Sequence, residues 1–487
     1  MHGHNYKYEC EQILLSFFPD RRPEYSVGTP SGERCEISLK RETDKASAVC
    51  RLYTERGYFF GRAFASQNKA GGPAEKERLL RRIVKLAFYR AALRATGETP
   101  VWGSITGIRP AKLMEPLLDS GLSDRAAMSL FCRRFDVSPE RARLCLSAAK
   151  KGISVRSTLG ARDVCLYIGI PFCPTRCDYC SFVSRTTEKD AFLIQPFCDV
   201  LKREADALAK ITSSLGFKII SVYIGGGTPT SLPCDLLDSL CSHLESVFDF
   251  SGLREYTLEA GRPDTISPEK LSILKKRNIT RISVNPQTMR SDVLFAIGRR
   301  HTPEDVARAV FAARDIGGFT INTDLIAGLP TDTVSGFSDT VDLVLALEPE
   351  NITVHTLCLK KGSRISLEKT KLPSAEDTGE MLRLAAEKLT IREYRPYYLY
   401  RQKFMSGGFE NVGWSKNGCE NLYNVCIMDE LTTILALGAG ASAKLVSKSG
   451  RIERVFSPKY PLEYINGAEK IISNKKRIEE FDYGILS

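Results

Sequence analysis

Residues 166–182 read LYIGIPFCPTRCDYCSF: an apolar, strand-like run that ends in three cysteines, Cys173, Cys177 and Cys180, spaced C-x3-C-x2-C. Three thiols within eight residues, on the loop that leaves a strand, converge on one metal centre. A structural zinc site takes four ligands, yet no second C-x-x-C follows and the nearest histidine in sequence is His243. Iron–sulfur clusters are held by cysteine thiolates, usually four. Three ligands leave one iron open, and an open site is where a small molecule binds and reacts. The plain alternative is a chance grouping among fifteen cysteines. The position at a strand's carboxyl end, with aromatics on both sides, argues against it.

Outward from that loop, strand-like and helical runs alternate. The strands expected are VCLYIGI (164–170), IISVYIG (219–225), EYTLEA (255–260), RISVN (281–285), FTINTDLIAG (319–328) and NITVHTLC (351–358). Amphipathic helices, such as 192–215 and 303–315, lie between them. Strand–helix units in series imply an α/β fold with a parallel sheet, either an open Rossmann-like sheet or a partial barrel. In both, chemistry sits at the carboxyl ends of the strands. Polar residues and glycines recur there: GGGTPT (225–230), Glu259 in LEAGRPD, Gln287 in VNPQT, Arg299 in IGRRHT and Asp324 in NTDLIAGLP. Any one of these alone caps a helix or bonds a loop. Together, on one edge, they point to one site.

The flanks read differently. RCEISLK, SAVCRLYT and GYFFGRAFA are short strands of a separate α+β unit, followed by a helix from Pro73 that Gly97 stops. WGSITGIRPAKL is a loop feeding a helix, and Ser138 and Pro139 start another that ends near Gly152. Past Leu359 the alternation gives way to a charged connector, a helix over 374–392 and a mixed remainder. The expected division is 1–160, an N-terminal α+β domain; 161–360, the (β/α)6 core; and 361–487, a C-terminal domain covering the substrate.

The chain has 487 residues, 43% hydrophobic and 26% charged, an ordinary globular balance. The odd cysteine count and the lack of a secretory leader or an apolar run of about 18 residues lead us to expect a reducing, cytoplasmic protein without a membrane span. Net charge is 69 − 58 = +11. It lacks blocks of like charge, so it speaks for surface lysines or an anionic small ligand and not for nucleic acid.

The cysteine spacing, with Tyr179 between the second and third thiols, resembles that of the radical S-adenosylmethionine (SAM) enzymes. The resemblance implies a partial (β/α)6 barrel and a [4Fe–4S] cluster on Cys173, Cys177 and Cys180. The fourth iron then chelates the amino and carboxylate groups of SAM, whose one-electron reduction gives a 5′-deoxyadenosyl radical. LYIGIPFC, GGGTPT, GRRHT and DLIAGLP, over roughly 163–450, are similar to the oxygen-independent coproporphyrinogen III dehydrogenase family, which includes heme-chaperone relatives. WGSITGIRP, ENVGW and LGAGAS resemble its HemZ-type branch most. By that likeness the SAM contacts are Tyr167, Tyr179, Gly226, Gly227, Thr228, Glu259, Gln287, Arg299, Asp324 and the backbone around Val354.

Two positions depart from the dehydrogenase pattern. Phe182 stands where a further cysteine is found, and Gly169 where a histidine is. The implied reaction is oxidative decarboxylation of coproporphyrinogen III to protoporphyrinogen IX, with an electron donor such as flavodoxin or ferredoxin. A heme-binding, chaperone-like protein and another radical reaction on a tetrapyrrole are the alternatives. Arg401, Lys403 and Arg109 are candidates for a carboxylate-rich substrate, against a plain surface role. His301 and His355 could approach a substrate or heme iron, but hydrogen-bonded structural roles are the expectation.

Overall fold

The computed structural model describes residues 1–18, 21–25, 32–67, 72–358, 363–368, 370–402 and 406–484. Lys403 and part of the charged connector lie outside the described residues. The chain forms two compact units: residues 1–110 with 117–143, and residues 111–116 with 144–487.

In the first unit, β1 (Arg34–Arg41), β2 (Lys45–Thr54) and β3 (Gly57–Ser66) form an antiparallel sheet. Period-two alternation turns Ile37, Leu39, Ala46, Ala48, Cys50, Leu52 and Ala63 to one face, where they are buried. The helices Lys7–Phe17 and Pro73–Thr96 share that core. Small residues permit the close fit: a Cβ on Gly61 would meet the Ala87 carbonyl oxygen at 2.1 Å. Pro73 opens its helix and Gly97, in the left-handed region at φ 75°, closes it.

The second unit is built on six parallel strands: β4 (Asp163–Ile170), β5 (Lys218–Gly226), β6 (Glu255–Glu259), β7 (Arg281–Ser283), β8 (Thr320–Ala327) and β9 (Asn351–Thr356). Each pairs with the next in chain order, and helices such as Ile194–Ser214, Pro303–Ile316 and Val334–Ala346 cross between them. This is the partial (β/α)6 barrel. Strands covered on both faces read as near-continuous apolar runs, as in β4, where seven of eight residues are buried.

Past residue 361 the chain returns to the same sheet and extends both edges. β10 (Arg395–Tyr400) and β11 (Asn411–Ser415) add antiparallel beyond β9. On the other side β12 (Thr433–Gly438) runs parallel to β4, followed by β13 (Ser442–Val446) and β14 (Ile452–Phe456). The full order is β10-β11-β9-β8-β7-β6-β5-β4-β12-β13-β14.

The helix begun at Pro139 runs on to Arg156, past the expected stop at Gly152. Gly152 is there for space: a Cβ would lie 2.3 Å from an Asp429 carboxylate oxygen.

Candidate active site

A cavity of about 380 Å³ opens at the carboxyl ends of β4–β9. Cys173, Cys177 and Cys180 line it, as do Tyr179, Gly226, Gly227, Thr228, Glu259, Gln287, Arg299 and Asp324. Two expected residues stand apart from its lining. The Tyr167 ring stacks with those of Tyr223 and Tyr423, at 6.2 Å and 6.1 Å between centroids. Val354 is buried, while its neighbours Thr353 and His355 line the cavity, as strand alternation requires.

The cysteine loop is tied down locally. Phe172–Cys173 pairs with Arg185–Thr186 in a short parallel ladder. The glycine loop after β5 tucks against it: Gly227 N donates to Ile170 O at 2.7 Å and Thr228 N to Phe172 O at 2.7 Å. A Cβ on Gly227 would meet that Phe172 oxygen at 2.5 Å, so only glycine fits the approach. Thr228 Oγ1 donates to Cys173 Sγ at 3.5 Å. Burial pushes the Cys173 thiol up, and the Cys180 thiol up to about 11. A metal is what deprotonates such thiols at neutral pH.

Carboxylates supply another part of the lining. Tyr223 Oη donates to Glu259 Oε1 at 2.6 Å, yet burial dominates and raises the Glu259 carboxyl to about 7. Asp324 goes the other way. Burial works to raise it, but the His355 imidazole and bonds from Asn322 and Thr353 outweigh that and lower it. Asn322 Nδ2 donates to Asp324 Oδ1 at 2.9 Å, and His355 Nε2 lies 3.7 Å from Oδ2. Gln287 holds a left-handed backbone, φ 68°, which a non-glycine residue adopts only when its surroundings impose it. Its N–H and carbonyl are both bonded into β8, to Asp324 O and from Ile326 N.

Arg299 is buried and donates to Asn285 O at 2.6 Å and to the Tyr179 hydroxyl at 3.2 Å. His301, expected in a hydrogen-bonded role, has neither ring nitrogen bonded although the residue is 4% exposed. Burial and the charges of Arg299 and Arg262 push it down to about 4, so it stays neutral. Arg401 donates to Gly408 O at 3.2 Å, and Arg109 belongs to the first compact unit.

Reasoning from the sequence missed several lining residues: Arg262, Asn285, Thr353, and Tyr398, Tyr400 and Met428 from the C-terminal segment. Arg262 and Asn285 carried a signal, since each lies two or three residues from a strand-end residue already singled out.

The donor set suits a cluster. Cys173, Cys177 and Cys180 come from one loop and all line the cavity, and thiolates are the ligands an iron–sulfur cluster takes.

The family model described as the radical SAM superfamily matches residues 167–344. The oxygen-independent coproporphyrinogen-III oxidase-like protein HemZ of Bacillus subtilis (strain 168) is 37% identical over 398 residues, covering 80% of this chain and 79% of that one. The heme chaperone HemW of Haemophilus influenzae is 28% identical over 324 residues, 65% of this chain and 79% of its own. Among solved structures, coproporphyrinogen III oxidase (HemN) from Escherichia coli superposes with a TM-score of 0.51 at 22% identity, over 66% of this chain and 72% of that one. No helix among the described residues is long and apolar enough to cross a membrane. With its cysteine loop on a six-stranded partial barrel and a relative this similar over four-fifths of its length, the chain belongs to the radical SAM superfamily, in the HemN/HemZ family, and its cofactors are a [4Fe–4S] cluster and S-adenosylmethionine.

Proposed function

We propose that this protein is a radical SAM oxidoreductase that converts coproporphyrinogen III to protoporphyrinogen IX without oxygen, in a reducing, cytoplasmic setting. The observation that carries the reading is the single cavity that gathers three thiols, two carboxylates and two buried arginines at the strand ends. Cys173, Cys177 and Cys180 would hold the cluster. Glu259 and Asp324 suit the amino group and ribose hydroxyls of SAM, because charge-assisted bonds to carboxylate are the strongest available. Gly226, Gly227 and Thr228 bring backbone close to the ligand, with Gln287 and Arg299 beside it. When bound, the cluster and SAM supply one-electron reduction and hydrogen-atom abstraction.

The chain's own part is to orient the substrate and exclude water. Each reacting propionate loses a hydrogen atom, one electron and carbon dioxide to become a vinyl group. Tyr398, Tyr400 and Met428 offer an aromatic and apolar lining for a tetrapyrrole. The net charge of +11 suits four carboxylates and an acidic electron donor such as flavodoxin or ferredoxin.

A second reading has one observation in its favour. Phe182, which replaces the further cysteine of the dehydrogenases, lines the cavity and is 65% exposed. That apolar ring suits a protein that receives heme, and the likeness to HemW fits it. The test is an anaerobic assay of reconstituted protein with SAM, reductant and coproporphyrinogen III. Protoporphyrinogen IX supports the first reading. SAM turnover with the porphyrinogen untouched, alongside stoichiometric heme binding, supports the second.

A further inference from the structure

The three cysteines sit in unequal surroundings. Cys173 receives neutral hydroxyls, from Thr228 and Ser184, and feels Arg262 only through its charge. Cys177 meets guanidinium groups. Arg262 follows β6 in the segment LEAGRPD and is 2% exposed. Its planar fork is locked on Asp264, Nε to Oδ1 at 2.9 Å and Nη2 to Oδ2 at 2.9 Å. A bidentate pair fixes the plane of the guanidinium. The remaining nitrogen, Nη1, is thereby aimed at the cysteine loop. It donates to Thr175 Oγ1 at 3.0 Å, to the Thr175 carbonyl at 3.4 Å and to Cys177 Sγ at 3.6 Å. Arg299 interacts with the same thiol and with Tyr179. His301 lies under the influence of both arginines and adds no charge of its own.

We propose that Arg262 is a positioning residue for the cluster: held by Asp264, it fixes the Cys177 side chain and raises the cluster's reduction potential. This rests on Cys177 being a cluster ligand. Reduction adds a negative charge to the cluster. An N–H donor to a ligand sulfur and a buried positive charge both favour the reduced form, and hydrogen bonds to sulfur and local charge are known levers on such potentials. Burial keeps the charge from being screened by water. Asp264 has two opposed effects, aiming the guanidinium and offsetting part of its charge.

That opposition makes the test sharp. The full chain is reconstituted anaerobically, iron and sulfide are counted, and the potential is read by a redox titration followed by electron paramagnetic resonance. Arg262→Gln with full cluster content is expected to shift to lower potential, so that at a fixed applied potential the reduced fraction relative to oxidised falls about tenfold, about 59 mV for one electron. Arg262→Lys keeps the charge without the fork and is expected to fall between the two. Asp264→Asn keeps an acceptor for the fork, removes the offsetting charge and is expected to shift to higher potential.

An unchanged potential in cluster-loaded Arg262→Gln overturns the proposal. If that variant loses its iron, Asp264→Asn decides, and a potential at or below the unmodified protein's overturns it. The ligand assignment fails separately: Cys177→Ala with full iron and sulfide removes it whatever Arg262→Gln does.

Discussion

Glu255 and Glu259 lie on one strand, β6, and the period of two places them on the same side of it. They mark the two ends of the barrel and are used in opposite ways. At the amino end, Glu255 is closed in. Its Oε2 accepts from Arg281 Nε at 3.1 Å and Leu422 N at 3.1 Å, and its Oε1 from Tyr423 N at 3.3 Å. Arg281 gives its other nitrogens to Asn351 and to Cys419 O. At the carboxyl end, Glu259 has Tyr223 beside it and the cavity in front, and its carboxyl is raised to about 7.

Nearby, the buried Arg299 Nε and both His301 nitrogens have no hydrogen-bond partner. A buried polar group left unmet costs about 1–3 kcal/mol. In contrast to the Glu255 carboxylate, which the fold meets on both oxygens, these groups beside the cavity make the carboxyl end the place where a ligand would complete polar contacts.

The contrast breaks most visibly at the cysteines. Alanine at Cys173, Cys177 or Cys180 is expected to abolish the [4Fe–4S] absorbance and resonance signal after reconstitution. Alanine at Cys234 or Cys426, away from the cavity, is expected to leave both. Full iron and sulfide in a Cys173→Ala protein would remove the ligand set.

Next in size is the closed end. Glu255→Gln leaves the Arg281 charge buried without its counter-ion, a loss of about 3–5 kcal/mol. Chemical denaturation should show that loss, while SAM affinity, measured where the variant is folded, should hold. A denaturation midpoint equal to the unmodified protein's would mean this pair is not what closes the amino end.

At the open end, Glu259→Gln or Asp324→Asn keeps size and removes charge. Losing a charged partner for a cationic ligand costs about 2–4 kcal/mol, roughly 30- to 1000-fold in binding. The cluster should remain and deoxyadenosine formation should slow whatever the final substrate.

The smallest effect is pH dependence. Glu259 rises from 4.5 to about 7 on folding, because burial disfavours its charge. The folded chain therefore keeps a proton that the unfolded chain releases between pH 4.5 and 7. Stability from this group is fully present below pH 4.5 and declines as pH rises through about 7. With Glu259 in its proposed role, SAM binds the ionised form, and its affinity should fall up to about tenfold per unit as pH drops below 7. Glu259→Gln should flatten both profiles. An equally steep binding profile in that variant would assign the titration to another group.

What could be read in advance was local. The cysteine spacing, the six strands and the polar residues at their ends each show within a dozen residues. The parts that escaped depend on distant pairing. Tyr398, Tyr400 and Met428 reach the cavity because β11 pairs with β9, Ile352 beside Trp414, and β12 with β4, Leu435 beside Leu166. No local period encodes such contacts. Gly152 looked like a helix stop because glycine commonly is one; its reason lies in Asp429, far along the chain. Arg262 escaped because an arginine is ordinarily a surface residue, and only the Asp264 fork shows why this one is buried.

The most direct test of the account sets the two glutamates side by side: isothermal titration of SAM into anaerobic, cluster-loaded Glu259→Gln and Glu255→Gln. The account predicts affinity reduced at least about 30-fold in the first and kept in the second. Unchanged affinity in Glu259→Gln, with the cluster intact, would contradict it and place the cofactor somewhere other than the carboxyl end of the barrel.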